Sequence, residues 1–147
     1  GIGWRAVELR QGEYDWTLCD EQVAFAERTR LVPIGGPVID FGRGGMPDWL
    51  WQWEHDYYAL QSFVSDFVET AIARYAGRVR LWEIVARANA GGALQLDEEQ
   101  RLMLAARAVE VALYERVPRR PKSRTRTASK PCGAAATGSR RPRWSSS

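Results

Sequence analysis

The chain has 147 residues, of which 45% are hydrophobic and 27% charged, a composition typical of a globular domain that excludes a wholly disordered chain. No run approaches the roughly 18 apolar residues needed to cross a bilayer, and no signal-peptide pattern opens the chain, so a membrane partner is not expected. One histidine and two cysteines are too few for a histidine-rich metal centre, a cysteine-based zinc site or a disulfide framework, so no cofactor is expected.

Charge divides the chain into two unlike parts. Residues 1–117 contain 12 arginines, no lysine and 18 acidic residues, whereas residues 118–147 contain nine basic residues and no acidic one. The second part also has four prolines and six serines and no apolar periodicity, so it cannot bury enough surface to offset the entropy of ordering it. The sequence therefore predicts a folded part over residues 1–117 and a basic, disordered Arg/Pro/Ser-rich tail over residues 118–147.

The tail has two interpretations. A basic arm could neutralise the phosphates of a nucleic acid or an anionic membrane. Alternatively, the segment is a solvated extension, of the kind that a shifted reading frame in a GC-rich gene produces. The second is favoured, because only Trp144 could stack on a base and no known nucleic-acid-binding motif is present. Nucleic acid is therefore not the expected partner.

The first predicted elements are a helix, a strand and a loop. Residues 20–30 are typical of a helix, with Asp20 placed to cap its first turn. Residues 31–39, with the sequence LVPIGGPVI, form an apolar run that predicts a buried strand. Glycines and a proline over residues 42–47 then indicate a loop.

The second half of the folded part repeats this alternation. Apolar side chains at helical spacing over residues 60–75 predict an amphipathic helix that Gly77 ends. Residues 79–86, with the sequence VRLWEIVA, predict a second buried strand. A last helix runs from its expected N-cap, Asp97, to about residue 117, with Gln100 at the capping-box position. Its core-facing side chains are expected to be Leu102, Ala105, Ala106, Val109, Ala112 and Leu113.

Alternating helices and strands predict an α/β fold in which the two strands are adjacent and parallel. Such strands form either an open doubly wound sheet or a (β/α)8 barrel, and no GxGxxG or P-loop motif supports the nucleotide-binding version of the first. A barrel takes about 250 residues. The folded part would therefore supply only about two to three of its eight βα units.

Three clusters of residues decide between these sheets. The first contains Trp4, Glu8, Gly12, Tyr14, Trp16 and Asp20, the second contains Gly36 and Pro47-Asp48-Trp49, and the third contains Arg74, Tyr75, Gly77, Val79 and Trp82-Glu83-Ile84-Val85. In this order and at these spacings they resemble the glycoside hydrolases of family 10, the endo-1,4-β-xylanase family, over about residues 4–113. The resemblance implies an incomplete and divergent part of such a protein, a partial (β/α)8 barrel whose ligand is a β-1,4-xylan-type polysaccharide.

Tryptophans are the candidate carbohydrate-binding residues. Seven tryptophans are many for this length, and aromatic faces stack on the C–H surfaces of sugar rings. The predicted loop that holds Trp49, Trp51 and Trp53 is the best candidate for such a platform, and Trp82 is a fourth candidate. Packing in the core is the alternative role for any one of these rings. His55 is expected to be a surface or capping residue and not a catalytic base.

The residues that carry the chemistry of this family are replaced. Retaining glycosidases use two carboxyl groups, and the resemblance places the acid/base glutamate at Arg87 and the preceding asparagine at Ala86. Arginine stays protonated and accepts no hydrogen bond, so it can act neither as the acid nor as the base. The nucleophile would lie on a later strand. Glu8 and Glu83 match acidic positions with expected structural roles, Glu83 as the partner of an arginine from another strand.

Two further departures remove polar side chains, because Gly3 stands where the family has a lysine and Pro37 where it has a histidine. The expected function is that of a glycoside-hydrolase-like chain, related to enzymes that hydrolyse O-glycosyl bonds, which is inactive as it stands. A non-catalytic carbohydrate-binding or scaffold module is the alternative, and a nucleic-acid-associated protein is a weaker one. An extracellular or periplasmic location is implied by the resemblance alone.

Overall fold

The computed structural model describes residues 3–90 and 92–116, and the tail predicted over residues 118–147 lies outside them. In chain order the elements are α1 (Trp4–Val7), α2 (Thr17–Arg28), β1 (Ile34–Gly35), β2 (Ile39–Asp40), a 3-10 helix (Asp48–Trp53), α3 (Tyr57–Arg74), β3 (Leu81–Trp82), β4 (Val85–Ala86) and α4 (Glu98–Arg116). No described helix is long and apolar enough to cross a membrane.

The predicted parallel pairing of the two apolar runs is confirmed, but each run is broken in the middle. Ile34 pairs with Leu81 and, further along, Ile39 pairs with Val85. The break in the first run includes Pro37, which has no N–H to donate to the ladder. The two predicted strands are therefore four strands of two residues each, and no closed barrel is present among the described residues.

Gly36 keeps the two halves of this ladder continuous. Its φ is +99°, and a Cβ on it would lie 2.0 Å from the carbonyl oxygen of Glu83. The N–H of Glu83 donates to the carbonyl oxygen of Gly35 at 2.8 Å, and the N–H of Val38 donates to the carbonyl oxygen of Glu83 at 3.0 Å. Backbone hydrogen bonds thus bridge the break, and residue 36 must be glycine for the strands to approach so closely.

Burial along the first apolar run is uneven. Val38 and Ile39 are fully buried, whereas Leu31 and Val32 are more than half exposed. The prediction of a strand buried along its whole length is therefore wrong for the first residues of the run. An apolar run indicates a strand, but it does not say which residues the helices cover.

Helix α3 lies at the centre of the core, and its predicted apolar stripe is confirmed. Phe67 is fully buried between the nearly parallel rings of Trp4 and Trp16, at centroid distances of 5.3 and 5.9 Å. The other buried residues of the stripe are Leu60, Val64, Val68, Ala71, Ile72 and Tyr75. This arrangement attaches α1 and the start of α2 to α3.

Asp20 joins α2 to the end of α3 and does not cap α2. Its carboxylate accepts hydrogen bonds from Nε of Arg74 at 3.0 Å and from the hydroxyl of Tyr75 at 2.7 Å. Helix α2 instead begins at Thr17, whose N–H donates to the carboxylate of Asp15 at 3.0 Å. The capping prediction is wrong because a guanidinium from a distant segment is the stronger partner for the Asp20 carboxylate.

The N-terminus of α4 is confirmed as predicted. The Asp97 carboxylate accepts a hydrogen bond from the N–H of Gln100 at 2.7 Å, and the Gln100 side chain accepts one from the N–H of Asp97 at 3.2 Å. This reciprocal pair is a capping box, and it satisfies two backbone donors that the first turn of a helix leaves free.

The stripe of α4 that faces the core is only partly the predicted one: Ala112 is buried and Ala105 is partly buried, as expected. The buried residues are Leu104, Ala108 and Ala112, which lie four residues apart on the side that packs against α3. Leu102, Ala106, Val109 and Leu113 were expected to face inward, and they are exposed. Small alanines allow the two helices to approach closely, and this decides in favour of the less apolar stripe.

We expect Phe67→Ala to lower the free energy of unfolding by about 3–5 kcal/mol, because it leaves a cavity between two tryptophan rings. Tyr58→Ala is the matched control on the same helix, since Tyr58 is 81% exposed, and it should cost less than about 0.5 kcal/mol. Urea unfolding followed by circular dichroism measures both. Equal losses in the two variants would contradict the central position of Phe67.

Candidate functional site

An ion pair lies at the C-terminal ends of the parallel strands. Asp40 is the last residue of β2, Arg87 follows Ala86 at the end of β4, and the two strands are neighbours. Nε of Arg87 donates to one carboxylate oxygen of Asp40 at 2.8 Å, and Nη2 donates to the other. The bidentate pair therefore stands at the position where the family resemblance implies an acid/base glutamate, and Ala86 offers no polar side chain beside it.

The backbone around this pair leaves room for the guanidinium. A Cβ on Gly42 would lie 2.2 Å from Cζ of Arg87, and the N–H of Gly42 donates to the Asp40 carboxylate at 2.9 Å. Arg87 has a φ of +56°, a left-handed conformation that residues with a Cβ rarely adopt. A side chain at residue 42 would therefore displace the guanidinium of Arg87 from this position.

The ion pair fixes the protonation of both partners. Hydrogen bonds from Arg87 hold the pKa of the Asp40 carboxyl below its ordinary value, although partial burial acts in the opposite direction. The Asp40 carboxylate in turn raises the pKa of the Arg87 guanidinium. A carboxylate with a lowered pKa is a poor proton donor, and a guanidinium has no lone pair with which to accept a proton. Arg87 therefore has no site that accepts a proton, and the pairing disfavours the protonated form of Asp40.

Glu8 is buried and fully occupied by structural hydrogen bonds. It is 5% exposed, and its two carboxylate oxygens accept hydrogen bonds from Nε1 of Trp4 at 2.8 Å and from the N–H of Gly12 at 2.7 Å. Its carbonyl oxygen accepts a third from Nε1 of Trp49 at 2.9 Å. Glu8 thus connects α1 to the 3-10 helix.

The predicted tryptophan loop is a 3-10 helix, and two of its three rings are packed. Trp49 is 9% exposed and contacts Trp4 and Phe63 edge-on. Trp53 is partly buried and also contacts Phe63 edge-on. The two turns of this helix place Trp49 and Trp53 against the same residue of α3, Phe63.

Trp82 and Trp51 differ in burial. Trp82 is partly buried, its ring lies against Gly35 and Tyr75, and its Nε1 donates to the carbonyl oxygen of Val79 at 3.1 Å. Trp51 is 67% exposed. Among the four candidate rings, Trp51 is therefore the most exposed.

Trp51 borders a cleft of about 260 Å³, here named the Trp51 cleft. Arg5 and Asp48 form an ion pair at 3.3 Å in its wall, and both side chains are substantially exposed. The other lining residues are Gly44, Met46, Pro47, Ala93 and Leu94. Sequence analysis missed Arg5 and Asp48: each adjoins a motif tryptophan, but no spacing indicates that residues 43 positions apart lie together.

A second cavity, of about 470 Å³, lies beside α1 and the end of β2. Gly3 and Pro37, the two positions where the resemblance implies a lysine and a histidine, both line it. Its charged residues are Arg5 and Asp40, and each already has an oppositely charged partner. Arg5 and Asp40 are therefore the charged groups of this cavity, and residues 3 and 37 add no polar side chain to it.

Glu83 and His55 have no partner that would indicate a catalytic role. Glu83 is exposed, and none of the arginines in the described part of the chain is within ion-pair distance of it, so the expected arginine partner is not found there. The His55 side chain is 86% exposed, as expected, with Nε2 3.7 Å from the Glu54 carboxylate. Residues 3–90 and 92–116 bring no three metal-ligating side chains together.

Comparison with known proteins supports the resemblance. The sequence profile described as "Glycosyl hydrolase family 10" matches residues 2–100, which is more than half of the chain. The chain belongs to glycosyl hydrolase family 10. Members of this family are (β/α)8 barrels that act on polysaccharides.

Two relatives of this family-10 chain illustrate how much of the family it covers. Endo-1,4-beta-xylanase 3 of Hypocrea jecorina is 27% identical over 101 residues, which are 68% of this chain and 28% of that protein. Endo-1,4-beta-xylanase B of Thermotoga neapolitana is 24% identical over 82 residues, which are 56% of this chain and 23% of that protein. The chain therefore spans about a quarter of the length of these curated relatives.

Several motif residues that this chain shares with family 10 have structural roles. Trp4 and Trp16 enclose Phe67, and Asp20 binds Arg74 together with the hydroxyl of Tyr75. Desolvation and the hydrogen bond to Asp20 raise the pKa of Tyr75, so its hydroxyl remains a donor. The family pattern in this chain is thus carried by packing and hydrogen bonding.

The lowered pKa of Asp40 makes a pH-dependent prediction. The pair stabilises the fold above the unfolded-state pKa of about 3.9, and this stabilisation is lost as the pH falls through the lower folded-state pKa. We expect Asp40→Asn to lower Tm at pH 7, and the difference from wild type to shrink as the pH falls from about 5 to 3. Thermal unfolding measures the difference. Asp48→Asn is the control, because the Asp48 side chain is 81% exposed and pairs with Arg5. An Asp40→Asn variant as stable as wild type at pH 7 would contradict a stabilising role.

Proposed function

We propose that this chain binds a β-1,4-xylan-type polysaccharide and does not hydrolyse it. The observation that carries the proposal is the bidentate pair of Arg87 with Asp40 at the ends of β2 and β4. Family membership supports a polysaccharide as the ligand class. The family resemblance assigns Arg87 to the position at which a family-10 enzyme needs a protonated carboxyl group.

Retaining hydrolysis requires one carboxylic acid to protonate the leaving oxygen and a second carboxylate, about 5–5.5 Å away, to attack the sugar. Arg87 cannot supply the proton, because it would have to give up a charge that Asp40 stabilises. Asp40 cannot replace it, because its pKa is lowered and both its oxygens accept hydrogen bonds from Arg87. Both carboxylate oxygens of Glu8 accept structural hydrogen bonds. Glu83 has no ion-pair partner among the described residues.

We also propose that residues 1–117 are a barrel segment of about two to three βα units and that residues 118–147 are a basic extension. The parallel pairing of β1 with β3 and of β2 with β4 supports the first part of this proposal. The short overlap with the two xylanases supports it as well. The resemblance implies that the nucleophile of the family belongs to a later strand than these four.

The Trp51 cleft is the proposed binding site. The exposed indole of Trp51 can stack on the C–H face of a sugar, and the Arg5–Asp48 pair offers hydrogen-bond donors and acceptors to its hydroxyl groups. The volume of about 260 Å³ lies below the range of about 300–1,000 Å³ that drug-sized ligands need, so the cleft suits a single sugar ring of a longer chain.

We expect the purified chain to release no reducing sugar from xylan, and no phenol from an aryl xyloside, above the buffer rate. Arg87→Glu should remain at this background, because a general acid contributes only about 10²–10⁴-fold and the nucleophile would still be missing. Turnover that persists through purification and disappears in Glu83→Gln would contradict the proposal and identify Glu83 as a reacting carboxylate.

We expect Trp51→Ala to weaken binding of a xylo-oligosaccharide about tenfold, which corresponds to the loss of about 1.4 kcal/mol of stacking. Tyr58→Ala is the matched control, because Tyr58 is an exposed aromatic residue that does not line the cleft, and it should bind like wild type. Isothermal titration calorimetry measures both. Equal affinities of wild type and Trp51→Ala would remove the Trp51 cleft as the site.

A further inference from the structure

Glu54, directly after the 3-10 helix, has a buried carboxylate to which no role has yet been given. Its side chain is only 8% exposed. Oε2 accepts a hydrogen bond from the N–H of Gln95 at 3.4 Å, and Oε1 lies 3.7 Å from Nε2 of His55. Taking a carboxylate out of water is costly unless donors replace the water. Of these two contacts, Gln95 is the donor that comes from a distant part of the chain.

The Trp51 cleft is lined by the same two distant parts of the chain. Asp48 and Trp51 belong to the 3-10 helix, whereas Ala93 and Leu94 belong to the segment that leads to α4. The N–H of Glu54 donates to the carbonyl oxygen of Trp51 at 3.3 Å, and Gln95 directly follows Leu94. The hydrogen bond between Glu54 and Gln95 therefore joins the two lining segments at their ends.

The segment before α4 contains no helix or strand, so individual contacts determine its position. The N–H of Ala93 donates to the carbonyl oxygen of Phe41 at 3.0 Å, which holds the start of the segment. Leu96 is 8% exposed, and its burial in the core holds the end. Between these two points, the N–H of Gln95 donates to Glu54. Glu54 thus ties the middle of the segment to the 3-10 helix.

We propose that Glu54 is a positioning residue for the Trp51 cleft, in which its carboxylate holds Ala93 and Leu94 in place beside the helix that carries Trp51. The inference rests on the proposed function, in which this cleft binds the polysaccharide. A sugar ring that enters the cleft then meets a wall that is already ordered. Without the hydrogen bond, binding would have to order this wall, at a cost in affinity.

His55 offers a competing reason for the position of the Glu54 carboxylate. The His55 side chain is 86% exposed, and a contact of 3.7 Å to such a side chain contributes little. A carboxylate placed mainly by His55 would also have no reason to turn toward Gln95. His55→Ala is therefore the matched control for variants of Glu54.

Hydrogen exchange of the Gln95 amide in the full chain tests the positioning role directly. Glu54→Met keeps a side chain of similar length and removes the acceptor, so we expect this amide to exchange about fivefold faster. Glu54→Gln keeps an acceptor oxygen and should exchange at the wild-type rate, as should His55→Ala. The helical circular dichroism should be unchanged in all three variants.

Three results would overturn the positioning role. Unchanged exchange of the Gln95 amide in Glu54→Met would show that the hydrogen bond does not hold the segment. Equal acceleration in Glu54→Gln would show that charge matters and the acceptor does not. Loss of helical circular dichroism in Glu54→Met would show that Glu54 supports the whole fold and not this one wall.

The affinity for a xylo-oligosaccharide, measured by isothermal titration calorimetry, tests the consequence for binding. We expect Glu54→Met to bind about fivefold more weakly than wild type and Glu54→Gln to bind like wild type. Equal affinities of wild type and Glu54→Met would overturn the inference and leave the proposed function intact. If the wild-type chain binds no xylo-oligosaccharide, the proposed function fails, and the exchange of the Gln95 amide still decides whether Glu54 holds this wall.

Discussion

Phe67 is held between Trp4 and Trp16, and this stack of three rings fixes how α1, α2 and α3 meet. Burying Trp4 also buries its indole N–H, which would be costly without a partner, so the Glu8 carboxylate is drawn into the core to accept it. The carbonyl oxygen of Glu8 then holds Trp49, the first tryptophan of the 3-10 helix. The burial of Trp4 thus places the Glu8 carboxylate in the core, and the carbonyl oxygen of Glu8 positions the helix that carries Trp51.

The residues that carry the family pattern and the residue at the implied acid/base position have different places in the fold. Trp4, Trp16 and Tyr75 are buried, and removing a buried aromatic ring would leave a cavity at a cost of about 3–5 kcal/mol. The side chain of Arg87, by contrast, is 56% exposed at the end of β4. Replacing a half-exposed side chain costs less stability than removing a buried ring.

Local patterns predicted the parts of the fold that local interactions determine. The stripe of α3 and the capping box of Asp97 followed from spacing alone, as did the parallel order of the strands. The inward face of α4 did not, because the helix carries two apolar stripes and only the position of α3 decides which is buried. The tryptophan content likewise predicted a carbohydrate-binding platform, but in the structure Trp51 is exposed whereas Trp49 is buried. The partners Asp40 and Arg87 are 47 residues apart, and no sequence spacing indicates that they meet.

The most direct test of the account is to recover a xylo-oligosaccharide of defined length from its complex with the purified full chain and to measure its length by chromatography. The account predicts that the sugar binds saturably and is recovered at its original length after prolonged incubation. Shortened products that track with the protein through purification would contradict it, because they would require an acid and a nucleophile where Arg87 and Asp40 neutralise each other.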